Sequence, residues 1–594
     1  MSQNIDSYIH LVASGNLFLK DFQNEEAIAC YKKAAQSSGV KTWQRDTLLE
    51  FYNNLGVAYK RKKELKQAQM VFEEGILIEP NHHIFYSNLF NTQRAQNRDD
   101  LAEKVLLKAI SLKTKEISHF ILLVEFYKEK KKYKEAFEVG AACVNLFKDK
   151  YDSHLMLGNL FAVVKSYKQA LIPYQTAIKI NPNNSSAYNN IGVVYKELGE
   201  HDKAKESYMR VLKINPNDSA AHNNLGNLLR NMDNLGGAVK HLEESIRLNP
   251  SYADAYSNLG AVYREAKEYL KAKTLYRKAL SLSPNHTNAN FDLSLIELME
   301  GSYESGWKRY EYRLRMDELI GKLYQYKTPI WKGESLKDKK IVLQNEQGFG
   351  DNMMFIRYVS KFVELGAKVI IRTRPQLVRL FKSIQDVESV CSEEEAIPEH
   401  DYHFPLLSSP VYFKTTLETI PSIFPYISVK KNLDIIKTDH KKKLKIGLVW
   451  SSSRTNKDFK NKYIGLEYYK PLFAVKGSVW YSLQVGDDAK EIALHGLKNS
   501  ITDVSEKLID FLATAEAISS LDLIITTDTA VAHLCGAMNK EAWVLVPKPA
   551  DWRWMQDGDS TPWYGSLKLF RQSKQGDWSE LISRIEAVLK KRCS

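Results

Sequence analysis

Two short stretches hold residue types able to handle an anion and a proton. In NEQGFGDNMMFIRY an apolar run ends at Gly348 and Gly350, and Asp351 follows where a helical pattern begins. Glycine at a strand-to-helix turn allows tight backbone angles and close approach of a ligand. Asp351 is then expected at the helix N-terminus, with an ordinary N-cap as the plain alternative. In DLIITTDTAVAHLCGA a second apolar run passes through Asp528, Thr529 and Ala530 into a helix that carries His533. Free N–H groups at the helix start, the Thr529 hydroxyl and an inward His533 one turn later would form an anion pocket. The plain alternative there is a capped helix with a buried histidine.

Such groups need a frame. KKIVLQNE, AKVIIRTR and DYHFPLLS read as strands, with helices after Asp351 and after Pro375. A basic link, TDHKKKLK, leads to a second set of strands: KIGLVWSSS, VWYSLQVG, DLIITT and AWVLVP. Strands alternating with helices predict parallel sheets built from βαβ units. Two sets predict two doubly wound domains facing a cleft, with ligands beyond the strand C-termini.

The first half of the chain has a different texture. Gly158, Gly192, Gly226 and Gly260 recur every 34 residues, with Gly56 three periods earlier. Pro182, Pro216, Pro250 and Pro284 keep the same spacing, Pro80 is in phase, and Ala170, Ala204, Ala238 and Ala272 hold a fixed offset. So do Tyr174, Tyr208 and Tyr276. The period resembles the tetratricopeptide repeat, two amphipathic helices per unit whose stacking buries faces that one unit cannot. Repeats are expected to start near 49, 83, 117, 151, 185, 219 and 253, with an earlier offset unit around Tyr31 and a degenerate cap after 287. Asn54, Asn88, Asn190, Asn224 and Asn258 all lie two residues before the glycine slot. This ladder resembles the one with which O-linked N-acetylglucosamine transferases grip a polypeptide, since an amide offers both a donor and an acceptor. Ordinary repeat packing is the alternative.

Composition narrows the classes. At 594 residues the chain is too long for one core, and 44% hydrophobic with 26% charged residues is a folded composition. A net charge of +13 over this length fits an anionic ligand but no nucleic-acid-reading module is present. Five scattered cysteines without a C-x-x-C pair argue against a disulfide framework or zinc site. The N-terminal MSQNIDSYIH has no signal-peptide character, and no window approaches 18 consecutive apolar residues. A cytoplasmic protein is expected.

The pairing of EQGFGD with TTDTAVAHL resembles the heptosyltransferase-like glycosyltransferases of family 9, and closest to it is the branch with N-terminal tetratricopeptide repeats. PIWKGESL, EQGFGDNMMFIRY, KIGLVWSS, TDTAVAHL, DWRWMQDGDSTPWY and LFRQ stand in the order of that branch, over about residues 303 to 590. The resemblance implies the GT-B fold and a nucleotide-sugar donor. It implies Asp351 as general base on the acceptor, and Asp528, Thr529, Ala530 and His533 as the diphosphate-binding segment. The Trp450–Lys457 stretch falls where the family binds donor phosphate, so Arg454, Lys457 and Lys462 are the candidate phosphate contacts. Two positions depart from the pattern: Lys462-Tyr463 replaces a usual Arg-Ser, and Gly558 replaces a usual second Arg. Because protein groups can carry the leaving charge, neither metal nor cofactor is expected. Asp557-Gly558-Asp559, formally a D-x-D, is read as coincidence.

The expected architecture is a tetratricopeptide-repeat superhelix over 1–315, a linker over 316–338 and an α/β GT-B region, with its acceptor-side half over 339–438 and its nucleotide-sugar half over 439–594. The expected activity is sugar transfer to an acceptor, foremost a polypeptide recruited by the repeats, such as a flagellar or surface protein. A saccharide or lipid-linked acceptor, or an inactive scaffold, are the alternatives.

Overall fold

The computed structural model describes residues 2–37, 40, 43–112, 116–316, 325–432, 434–436, 443–454 and 459–593, with side chains from Tyr8 onward. The chain divides into two compact units, Met1–Pro250 and Ser251–Ser594.

The first unit consists of antiparallel helix pairs, from Ser2–Lys20 with Asn24–Ser37 to Ser219–Asn231 with Leu235–Leu248. The two sequence-poor repeats also form pairs, His83–Ala95 with Asp99–Ser111 and Ile117–Glu129 with Tyr133–Leu146. The glycine and aromatic periodicities are one contact seen twice. A Cβ on Gly158 would lie 2.6 Å from the ring of Tyr174, and one on Gly192 would lie 2.7 Å from Tyr208. The ring sixteen residues on lies flat against the first helix, and only glycine leaves it room. Phe72 fills the same place against Gly56, and Leu242 against Gly226. Each pair turns on a left-handed residue, among them Lys63, Asn97, Lys131, Lys165 and Gly199.

The second unit begins with two more helix pairs, Ala253–Glu265 with Tyr269–Leu282 and Thr287–Met299 with Tyr303–Tyr310. They share one hydrophobic core with the sheets that follow: Tyr276, Trp307 and Tyr310 belong to the same buried cluster as Phe355, Leu534 and Trp563.

Two all-parallel sheets complete the unit. The first contains β1 (Lys340–Gln344), β2 (Lys368–Thr373), β3 (Ser389–Ser392) and β4 (Tyr402–Pro405), in the order β3-β2-β1-β4. Leu343 lies opposite Ile371 on one side and Phe404 on the other. The second contains β5 (Leu444–Val449), β6 (Ser478–Ser482), β7 (Thr502–Asp503), β8 (Leu523–Thr527), β9 (Ala542–Val546) and β10 (Leu567–Arg571), in the order β10-β9-β8-β5-β6-β7. Renumbered within the sheet, that order is the Rossmann order 3-2-1-4-5-6. Strand β8 is buried throughout, which explains why its sequence is an unbroken LIITT without alternation. The reversals of order fall between β1 and β4 and between β5 and β8, so the loops after β1, β5 and β8 open at the two switch-point crevices. The loops after β5 and β8 carry Arg454 and Asp528, and the loop after β1 leads into the helix that holds Asp351. No described helix is long and apolar enough to cross a membrane.

Candidate functional site

Asp351 is the third residue of the helix Phe349–Phe355, and Gly348 is the N-cap, so the N-cap reading of Asp351 is corrected. One Asp351 oxygen accepts the Gly348 N–H at 3.0 Å, and the other is ion-paired with Arg553. The glycine-turn expectation also needs correction. Gly348 has φ −81, open to any residue, whereas the left-handed position of the turn is Gln347 at φ +48. Gly350 is required for a different reason. A Cβ there would sit 2.6 Å from the His533 ring, so the missing side chain lets this helix pack against Ala530–Ala537.

The turn itself is fixed from three sides. Glu346 is buried and receives Arg313 Nε at 2.9 Å and Nη2 at 3.1 Å. Tyr310 donates its hydroxyl to Gln347, and Arg374 donates to the Gln347 carbonyl. Burial holds the Glu346 carboxyl above its usual range, although Arg313 pulls the other way. Arg313 and Tyr310 come from the end of the repeat pattern, so that segment shapes the turn that leads to Asp351.

On the second sheet, Thr529 is the N-cap of Ala530–Ala537, and its hydroxyl accepts the Val531 N–H at 3.3 Å. Thr529 and Ala530 are half-buried, whereas Asp528 and His533 are buried. Thr527 donates its hydroxyl to the Lys462 carbonyl at 2.9 Å, which brings the Lys462 ammonium to 2.7 Å from Asp528. Burial opposes the Lys462 charge, but Asp528 and Asp551 outweigh it and hold the ammonium above its usual range. His533 stacks on Trp554 and pairs Nδ1 with the Tyr564 hydroxyl at 3.0 Å. Burial, reinforced by Arg553, pushes the imidazole down to about 4. It is therefore neutral near pH 7, a hydrogen-bonding group rather than a charge.

Sequence reasoning singled out neither Arg553 nor Asp551, although both lie in the DWRWMQDGDSTPWY landmark. Arg553 is half-buried, with its side chain 11% exposed, lies over the Trp552 ring, and donates to Asp551 at 2.7 Å as well as to Asp351. Among the described residues its Nε–H has no acceptor. A half-buried guanidinium flanked by carboxylates from two sheets was readable only once those sheets faced each other. Arg571, in the LFRQ landmark, staples the loop by donating to the carbonyls of Met555, Asp557 and Gly558. Gly558 sits at φ +84, a backbone position that favours glycine over the Arg usual in the pattern.

The geometry thus gathers Asp351, Lys462, Asp528, Thr529 and His533 with Arg553 and Asp551. It separates Arg454, which is two-thirds exposed and paired with Asp488 at 2.5 Å beside Ser451. Lys457 lies outside the described residues. Among the described residues one group could hold a metal, Glu467, Glu491 and His495, and none of its members belongs to this cluster.

The asparagines of the ladder are half-buried, and four of them donate to asparagines outside the ladder. Asn54 donates to Asn16 at 2.9 Å, Asn88 to Asn53 at 2.9 Å, Asn190 to Asn159 at 2.8 Å and Asn224 to Asn189 at 3.0 Å. Asn258 occupies the same position on Ala253–Glu265, in the second unit.

These features define the class: a tetratricopeptide-repeat protein that continues into two Rossmann-type parallel sheets. The family described as tetratricopeptide repeat matches residues 49–82, 185–218 and 217–285, and a TPR-repeat description matches 158–199. Protein FlbA of Caulobacter vibrioides is similar, 25% identical over 327 residues, which cover 50% of this chain and 54% of FlbA. The chain therefore spans about half the length of that relative. Among solved structures, the TPR protein YrrB, described as having an unusual peptide-binding site, is 23% identical over 31% of this chain and 95% of its own, with TM-score 0.26. MamA is 26% identical over 29% and 98%, with TM-score 0.24. The Cut9–Hcn1 hetero-tetramer of the APC/C is 15% identical over 52% and 73%, with TM-score 0.35.

Proposed function

We propose that the chain is a glycosyltransferase of the GT-B type, moving a sugar from a nucleotide-sugar donor to an acceptor in the cytoplasm without a metal. The observation that carries this reading is the convergence of a carboxylate, Asp351, with a helix N-terminus and cations, Thr529–Ala530, Lys462 and Arg553, between two Rossmann-type sheets. Transfer requires deprotonation of an acceptor hydroxyl while the leaving diphosphate gains charge. A carboxylate serves the first need, and helix N–H groups, a hydroxyl, a neutral imidazole donor and half-buried cations serve the second. All five cysteines are free, in keeping with a reducing compartment.

The test is incubation of the purified chain with ADP-, UDP- and GDP-linked sugars, scored by release of nucleoside diphosphate. Asp351→Asn is expected to lower transfer by roughly 10² to 10⁴ while keeping donor binding. Thr529→Val and His533→Ala are expected to weaken donor binding or turnover. Activity is expected to survive chelation. A chain that turns over no nucleotide sugar, or Asp351→Asn at wild-type rate, would sink the reading.

For the acceptor, the leading reading is a polypeptide, such as a flagellar or surface protein, held by the asparagine ladder. The triple change of Asn190, Asn224 and Asn258 to Ala is then expected to reduce protein modification and spare hydrolysis of the nucleotide sugar. The engagement of the ladder amides by other asparagines of the repeats favours a second reading, in which the repeats pack and a saccharide is the acceptor. Undiminished protein modification by the triple variant would remove the ladder's role.

A further inference from the structure

We propose that Arg553 is the group that reads the donor's diphosphate, and that in turning to it the guanidinium releases Asp351. The base then becomes available only when the donor is in place. This inference rests on the transferase reading and adds a residue and an order of events to it.

Three observations lead there. The first is charge. Around His533 stand two cations, Arg553 and Lys462, and three carboxylates, Asp351, Asp528 and Asp551. A diphosphate approaching the Thr529 N-cap meets a net negative cluster whose cations already face carboxylates, so a cation must turn toward it to offset the repulsion at close range. The second is donor capacity. Arg553 spends Nη2 on Asp351 and Nη1 on Asp551, while its buried Nε–H has no acceptor among the described residues. A guanidinium fork matches two phosphate oxygens as well as it matches a carboxylate. The third is the occupancy of Asp351. One oxygen holds the Gly348 N–H and the other holds Arg553, so both are engaged, one of them by a cation, while Arg553 stays in place.

Lys462 is a poorer candidate for this exchange. Its contact is Asp528, on the edge of the N-cap itself, and its release would free no acid beside the acceptor. Asp551, two residues from Arg553, keeps the guanidinium tethered as it moves.

The step then balances. The acceptor hydroxyl oxygen bonds to the anomeric carbon, and its proton passes to the freed Asp351 oxygen. The bond from the anomeric carbon to the diphosphate oxygen breaks. Its electron pair leaves on the nucleoside diphosphate, where Arg553 offsets the charge.

The test uses the full chain titrated with ADP, UDP, GDP and inorganic pyrophosphate, as wild type, Asp351→Asn and Arg553→Lys. Asp351→Asn removes the competing charge and keeps the shape, so it is expected to bind a nucleoside diphosphate more tightly, on the order of tenfold. Arg553→Lys loses the fork and is expected to bind more weakly, again on the order of tenfold. A wild-type chain that binds none of these probes overturns the transferase reading and this inference together. Wild-type binding with an unaltered or weakened Asp351→Asn overturns the exchange alone and leaves the transferase reading intact. If Arg553→Lys fails to fold by near-UV circular dichroism, the sign of the Asp351→Asn change decides the matter.

Discussion

In the first unit, half-buried Asn190 donates to Asn159 and Asn224 to Asn189, amide to amide across neighbouring helix pairs. In the second, Arg553 and Lys462 are held by Asp351, Asp551 and Asp528, drawn from three separate segments of the chain. Both arrangements satisfy polar groups away from water, but with different stakes. A neutral amide bond is worth about 0.5 to 1.5 kcal/mol, and its loss leaves an amide that water can still reach. A buried ion stripped of its partner costs about 3 to 5 kcal/mol. Repetition spreads small contributions evenly, whereas the α/β portion concentrates large ones at a few points.

The largest expected break in that contrast is Arg313→Ala, which strands Glu346 in the core. It is expected to destabilise the second unit by about 3 to 5 kcal/mol. Tryptophan fluorescence is the readout, since Trp43 alone of the ten tryptophans lies in the first unit. A loss below about 1 kcal/mol would show that the ion pair is dispensable.

The next effect is set by pH. The folded state holds His533 at about 4, below its ordinary 6.5. As pH falls through 6.5 the unfolded chain takes up the proton first, so this contribution is full above 6.5 and is lost on the way down to 4. Between about pH 7.5 and about pH 5 the loss amounts to about 2 kcal/mol. His403, pushed down to about 4 chiefly by burial, adds a similar slope. The difference between wild type and His533→Gln isolates the His533 share, and identical slopes would contradict the burial argument.

Asn190→Ala and Asn224→Ala are expected to cost about 1 kcal/mol each, read by far-UV circular dichroism in denaturant. A loss of 3 kcal/mol from either would place the ladder with the charged cluster. Smallest is Lys131→Gly. Lys131 is exposed and held at φ +57, so glycine is expected to stabilise the first unit by about 0.5 to 1 kcal/mol.

The same contrast governs what the sequence disclosed. The repeats were legible because one contact, Gly192 under Tyr208, recurs at a fixed interval and needs no knowledge of distant chain. Even there, Phe90 in the glycine slot hid the regularity of His83–Ala95 until its helix was seen. In the α/β portion the long apolar strands were legible, while β3 (SVCS), which is short and half polar, was not. Asp351, Asp528 and His533 stood out because each follows an apolar strand. Arg553 did not, since it sits in an irregular loop and its partner Asp351 is 202 residues away. The reason for Gly350 was equally hidden. It lies in the His533 ring rather than in local backbone angles.

Arg313 also bears on how such a protein could be assembled from parts. The repeat pattern ends before the first strand, which invites the view that the α/β region is a portable cassette. Yet Glu346 finds its counter-ion, and Gln347 its hydroxyl donor, on the segment that closes the last helix pair. Severing the chain after Arg315 would leave those residues behind, and grafting a foreign array there would have to reproduce them. The heritable module therefore begins upstream of the visible seam. Recombination that respects the fold must carry the terminal repeats along with the sheets.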